Sequence, residues 1–210
     1  MSTEPGTAAT IPSASPQQVD TPPAGEAIGS GRMEAFSDGV IAIIVTIMVL
    51  ELHAPGSADP AKLLAEWPTF LAYLLSFTIV AIYWVNHHHL LQPVTRVSKR
   101  SLWLNIHWLF WLSLFPYATA YIGGAHGAAF ATAVYAGLSM AVATAFLLLQ
   151  RSLIAENAHV AHLADSSRRR MVKNLAAMLS MLLAIPLAWV SEPIALVLLA
   201  VPALSYFVPD

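Results

Sequence analysis

The 210-residue chain contains no cysteine. Disulfides, thiolate catalysis and cysteine-ligated metal centres are therefore excluded. Charge is nearly as scarce: Asp, Glu, Lys and Arg together supply 10% of residues, where an ordinary soluble domain carries about a quarter. The formal net charge of −2 lacks the basic excess that nucleic-acid binding needs. No HExxH pair, two-His-carboxylate spacing or convergent nucleophile is present, so the chain reads as neither an enzyme nor a cofactor protein. What fills the space is apolar: 57% of residues are hydrophobic. That composition belongs to a protein whose solvent is lipid.

The first 30 residues differ from the rest. "STEPGTAATIPSASPQQVDTPPAGEAIGSG" is rich in Pro, Ala, Ser, Thr and Gly and has no aromatic residue. It is expected to be a disordered tail over 1–30, because it has too little apolar surface to offset its ordering entropy. Residues 31–210 are expected to form one membrane domain. A helix needs about 20 mostly apolar residues to cross the hydrocarbon core. Six segments approach this: Met33–His53, Trp67–His88, Ser101–Tyr121, Ala128–Gln150, Met171–Val190 and Pro193–Phe207. With six spans, Arg32, Arg96, Lys99, Arg100, Arg151, Arg168, Arg169, Arg170 and Lys173 all fall on one side and only Lys62 on the other. The positive-inside rule then predicts a multi-pass protein of the inner (plasma) membrane, in contact with its lipids, with N- and C-termini cytoplasmic.

"RMEAFSDGVIAIIVTIMVLEL" (Arg32 to Leu52) places an aspartate near the head of the first span. The second span returns in the opposite direction and the third starts again from the same side. Topology alone therefore gathers Ser37, Asp38, Trp84, Asn86, His87, His88 and Asn105 at one depth, where an intramembrane carboxylate finds partners. At about 100° per residue, Ile43, Ile47 and Leu50 form a narrow aliphatic stripe with Thr46 on its flank, and Asp38 projects roughly 140° from Ile43. The stripe has one use, and Asp38, an anchor for the helix, has another.

The segment R-x-x-x-F-S-D (Arg32, Phe36, Ser37, Asp38), together with "SFTIVAIYWVNHHHLL" and "LWLNIHWLFWLSLFPYATA", resembles the lysosomal potassium channel family and its prokaryotic homologues. The resemblance covers the first three spans. It implies an all-α polytopic channel with six spans per subunit, assembled as a homotetramer, whose first helix lines a central pore for K+. Such channels lack a "TVGYG" filter, and so does this sequence. By position after the motif, the resemblance implies a pore constriction at Ile43, with Ile47 and Leu50 beyond it. It makes Thr46 the match to a threonine linked to potassium preference. It also implies that Arg32, Ser37 and Asp38 are held by polar residues of the next two helices, namely Trp84, His87, His88 and Asn105.

Other features have plainer readings. His87 and His88 point about 100° apart on a regular helix, a poor geometry for one metal ion. Trp103, Trp108 and Trp111 read as packing or interfacial anchors. Ala133, Gly137, Ala141 and Ala145, at steps of four, read as a close-packing stripe. Ser166 to Arg170 reads as an anchor beside anionic lipid. The competing function is a proton-coupled secondary transporter using Asp38 with His87 and His88. Transporters tend to break their helices at mid-membrane, whereas the first span here has no proline.

Overall fold

The computed structural model describes residues 29–125 and 128–205, without the side chains of 161–170 and 205. The tail expected over 1–30 lies outside these apart from its last two residues, as do the end of the expected sixth span and the side chains of Ser166 to Arg170. Eight helices occupy the described residues: α1 (Ser30–Leu50), α2 (Pro60–Ala65), α3 (Trp67–Leu91), α4 (Lys99–Leu112), α5 (Phe115–Gly124), α6 (Ala129–Glu156), α7 (Ala161–Leu187) and α8 (Glu192–Ser205). The protein is an all-helical membrane protein. Helices α1, α3 and α6 are each long and apolar enough to cross a bilayer, and α7 and α8 supply shorter apolar stretches, Met171–Leu187 and Glu192–Leu204.

Side-chain pairs fix the helix directions. Glu34 meets His88 and Asp38 meets Trp84, so α1 and α3 run antiparallel. Ser37 meets Asn105 and Met48 meets Thr119, so α1 runs parallel to α4 and α5. Ser101 meets Ser152 and Phe115 meets Tyr135, which sets α6 against both. The N-terminal ends of α1 and α4 and the C-terminal ends of α3 and α6 therefore share one end of the bundle. Arg32, Arg96, Lys99, Arg100 and Arg151 sit there, all exposed.

The expected third span is not one helix. It breaks after Leu112 and resumes at Phe115. Pro116 causes this, because it has no N–H to return to the carbonyl of Leu112 and its ring crowds that carbonyl. Ser113 completes the stop by donating from Oγ to Phe110 O at 2.7 Å. Other boundaries also shift. α1 starts at Ser30 and ends at Leu50, where Glu51 and Leu52 tighten to bonds with Met48 and Val49 and the helix stops short of His53. α7 begins at Ala161 rather than Met171, since its polar first turns continue past the apolar segment.

The small-residue stripe on α6 is also corrected. Ala133, Gly137 and Ala141 are only half-buried, and a Cβ on Gly137 would meet nothing within 4 Å. The packed face is instead Thr132, Ala136, Ser139, Ala143 and Phe146, together with Ala145 from the expected set. The backbone approach that does need glycine is at Gly123 on α5, where a Cβ would lie 3.0 Å from Thr69 Cα on α3.

These two glycines make a paired test. Gly123→Val should separate α3 from α5 and cost about 1–3 kcal/mol of stability. Gly137→Ala should leave stability unchanged or raise it by less than about 1 kcal/mol through helix propensity. Thermal unfolding of the purified protein in detergent would report both, and equal losses would contradict the packing.

Candidate functional site

α1 is built with two unlike faces. Met33, Ser37, Ile41, Ile44 and Met48 recur at steps of three and four and are buried against α3, α4 and α5. On the other side Phe36, Gly39, Ile43, Thr46, Ile47 and Leu50 are exposed. Ile43 keeps 59% of its surface accessible and Leu50 73%. An apolar row left uncovered on a helix otherwise well packed is the main geometric feature of this site.

The packed face is held by a directed chain of hydrogen bonds. Ser37, fully buried, donates from Oγ to Met33 O at 2.8 Å. Its lone pair accepts from Asn105 Nδ2 on α4 at 2.9 Å. Asn105 Oδ1 in turn takes the proton of His87 Nε2 on α3 at 3.0 Å. Each donor has one acceptor, so His87 is the Nε2–H tautomer. Its ring lies flat on Trp108, with centroids 4.9 Å apart. Three helices thus meet on one wholly interior serine.

Asp38 is held differently. Its Oδ1 accepts from the indole Nε1 of Trp84 at 2.9 Å, and neither His87 nor His88 hydrogen-bonds it. His88 goes instead to Glu34, Nδ1 to Oε1 at 2.7 Å, and stacks beside Trp84. Asn86 is buried but faces a small pocket shared with Phe146, Asn174 and Met181. His89 is exposed. The three consecutive histidines therefore serve three different surroundings, and among the described residues no group of three potential ligands could hold a metal.

Arg32 and Phe36 do not enter the cluster. Both side chains are exposed, and among the described residues Arg32 has no ion-pair partner. The structure thus brings Ser37, Asp38, Trp84, His87, His88 and Asn105 to one level and leaves those two outside it.

Two further clusters were not foreseen. Midway along the bundle Tyr135 on α6, Ser76 on α3 and Thr119 on α5 share hydrogen bonds of 2.9 and 2.6 Å, with Met48 Sδ of α1 4.0 Å from Thr119. At the basic end, Glu156 of α6 accepts from Ser98 N and from the hydroxyls of Ser98, Ser101 and Ser152. Beside it Asn157 accepts from Thr95 N and Arg96 N and donates to Arg96 O. This clamp ties the α3–α4 connection to α6. Its sequence signal is an acid-amide pair closing an apolar helix opposite Ser98-x-x-Ser101.

Residues 32–116 match the family model described as the endosomal/lysosomal potassium channel TMEM175. A protein named a potassium channel in Chryseobacterium sp. (strain P1-3) is 54% identical over 125 residues, 59% of this chain and 65% of that one. The match thus spans just under two thirds of that relative's length. Another named a potassium channel, in Streptomyces collinus, is 34% identical over 191 residues, covering 84% of this chain and 91% of its own. The crystal structure of a lysosomal potassium-selective channel TMEM175 homologue from Chamaesiphon minutus superposes with a TM-score of 0.72 at 29% identity, over 84% of this chain and 95% of that one.

Graded substitutions would probe the network. Asp38 faces an uncharged indole rather than an ionic partner, so its removal as Asp38→Ala should cost about 1.5–3 kcal/mol, less than the loss of a buried ion pair. Asp38→Asn keeps an oxygen for Trp84 and should cost less. Asn105→Leu orphans the buried His87 Nε2–H, at about 1–3 kcal/mol, leaves Ser37 only its bond to Met33 O, and should rank worst. Melting temperatures in detergent would give the order, and an Asp38→Asn variant as unstable as Asp38→Ala would contradict the indole bond.

Proposed function

Because this chain belongs to the TMEM175 potassium channel family, we propose that it is a subunit of a potassium channel whose α1 helices surround a central pore. The assembly is a homotetramer of six-span subunits. The spans are α1, α3, the broken pair α4–α5, α6, α7 and α8, and residues 31–210 form one channel domain. Both termini are cytoplasmic, because the exposed basic residues share the end of the bundle where α1 begins.

The observation that carries this reading is the exposed row on α1. Ile43, Ile47 and Leu50 lie opposite the buried stripe, so that copies of α1 facing an axis would present them to one another. Isoleucine offers an ion no oxygen ligand. Such a ring conducts only while it is wide enough for a hydrated or partly hydrated cation, and it closes by dewetting when narrower. Thr46 is exposed on the same side and donates its proton to Ile43 O at 2.9 Å. Its oxygen lone pairs remain for a cation or the water around it, which suits a role in potassium preference. The bonds to Ser37 and Asp38 set the rotation of α1 and hence which residues meet the axis.

The proton-coupled transporter is less well supported. It needs Asp38 to exchange a proton with His87 or His88, whereas Asp38 is bonded to an indole N–H, which donates only and passes no proton on.

Planar-bilayer recording of the reconstituted protein tests the reading. Unitary currents carried by K+ are expected. Ile43→Asn should wet the constriction and raise leak current roughly tenfold, a barrier change of about 1.4 kcal/mol. The same change at Val49, exposed on another side of α1, should have little effect. Equal effects at the two positions, or flux that saturates and requires a proton gradient, would overturn the pore assignment.

A further inference from the structure

Resting on that reading, the geometry points to Glu51 as the residue that concentrates cations at the mouth of the pore farther from the Asp38 layer. α1 and its C-cap carry three carboxylates, Glu34, Asp38 and Glu51. Glu34 is bonded to His88 and Asp38 to Trp84. Glu51 alone has no ion-pair or side-chain hydrogen-bond partner among the described residues. It lines the same groove as Ile43 and Ile47, beside Ser113 of the α4–α5 break and Tyr117 in the first turn of α5. It therefore stands at the C-terminal end of the aliphatic row.

Two fixed features add to its field. Glu51 caps the C-terminus of α1, where the helix dipole places about half a negative charge. The surrounding end of the bundle is also poor in cations. Among the described residues Lys62 is its only lysine or arginine, with His53 bonded to the Glu51 carbonyl, against Asp59, Glu66 and Glu192 besides Glu51. The opposite end holds Arg32, Arg96, Lys99, Arg100 and Arg151. A constriction without oxygen ligands does nothing to gather ions, so entry rate depends on how many cations wait beside it. An unpaired carboxylate on each subunit, facing a low-dielectric wall, raises that local concentration. It acts through space, as a positioning charge, and need not bind the ion directly.

The test uses the full chain in planar bilayers and varies salt. At about 0.01 M KCl the Debye length is about 30 Å, and at about 1 M it is about 3 Å. Glu51→Gln is expected to lower unitary conductance about two- to fourfold in dilute salt and to match the unchanged protein in concentrated salt. Glu51→Asp should retain most of the conductance at both. Glu51→Lys should lower it further and make the current rectify, with weaker entry from the Glu51 side. No loss with Gln in dilute salt, or an equal fractional loss at both salts, would overturn the inference while leaving the channel reading in place. Absence of K+ current from the unchanged protein would overturn both.

Discussion

The placement of α1 depends on a buried serine hydroxyl. Ser37 has no exposed surface, and its single oxygen serves two partners, giving a proton to Met33 O and taking one from Asn105. In a bilayer no water competes for those positions, and a polar group that loses its partner has no cheap substitute. Rotating α1 by one residue would carry Ser37 out of reach of Asn105 and bring Phe36 or Asp38 toward its place. The network therefore specifies orientation more than it supplies affinity between helices that lipid would solvate equally well.

With one face of α1 committed in this way, its opposite face is necessarily the one left over. The second polar layer, Ser76 with Thr119 and Tyr135, repeats the arrangement further along, where Met48 touches it. Both layers lie on the inner side of α1, so its outer row needs no polar residue except Thr46. α4 connects this arrangement to the rest of the bundle. Ser98 and Ser101 bind Glu156 of α6, and one turn later Asn105 binds Ser37. A shift of α6 at the basic end would reach α1 through a single short helix that stops at Leu112.

Much of this was legible in the residues. The aspartate in an apolar helix, the polar ends of the next two helices and the one-sided basic residues were enough to predict a shared polar layer. The aliphatic row followed from angle alone. Other parts were not legible. Both histidines were natural partners for Asp38 by charge, yet the indole of Trp84 occupies that place, while His87 lies on Trp108 and bonds Asn105 and His88 bonds Glu34. Arg32 and Phe36 belong to the same motif as Ser37 but lie on turns of α1 that face outward. The four-step row of small residues on α6 matched a packing pattern by period. The buried face proved to be the neighbouring one, since composition cannot say which side of an all-apolar helix meets protein and which meets lipid.

The sequence by itself determined that the chain is helical, that it lives in lipid, which end of each span is basic and which residues share a depth. These follow from hydropathy, charge segregation and helical period, all of which are properties of the chain read along its length. Tertiary structure alone decided which of the residues at one depth touch, where Pro116 divides the third span, and that among the described residues Glu51 has no side-chain partner while Glu34 and Asp38 do. Those outcomes depend on distances of about 3 Å between side chains of different helices, and residues dozens of positions apart in sequence acquire such distances only when the bundle closes.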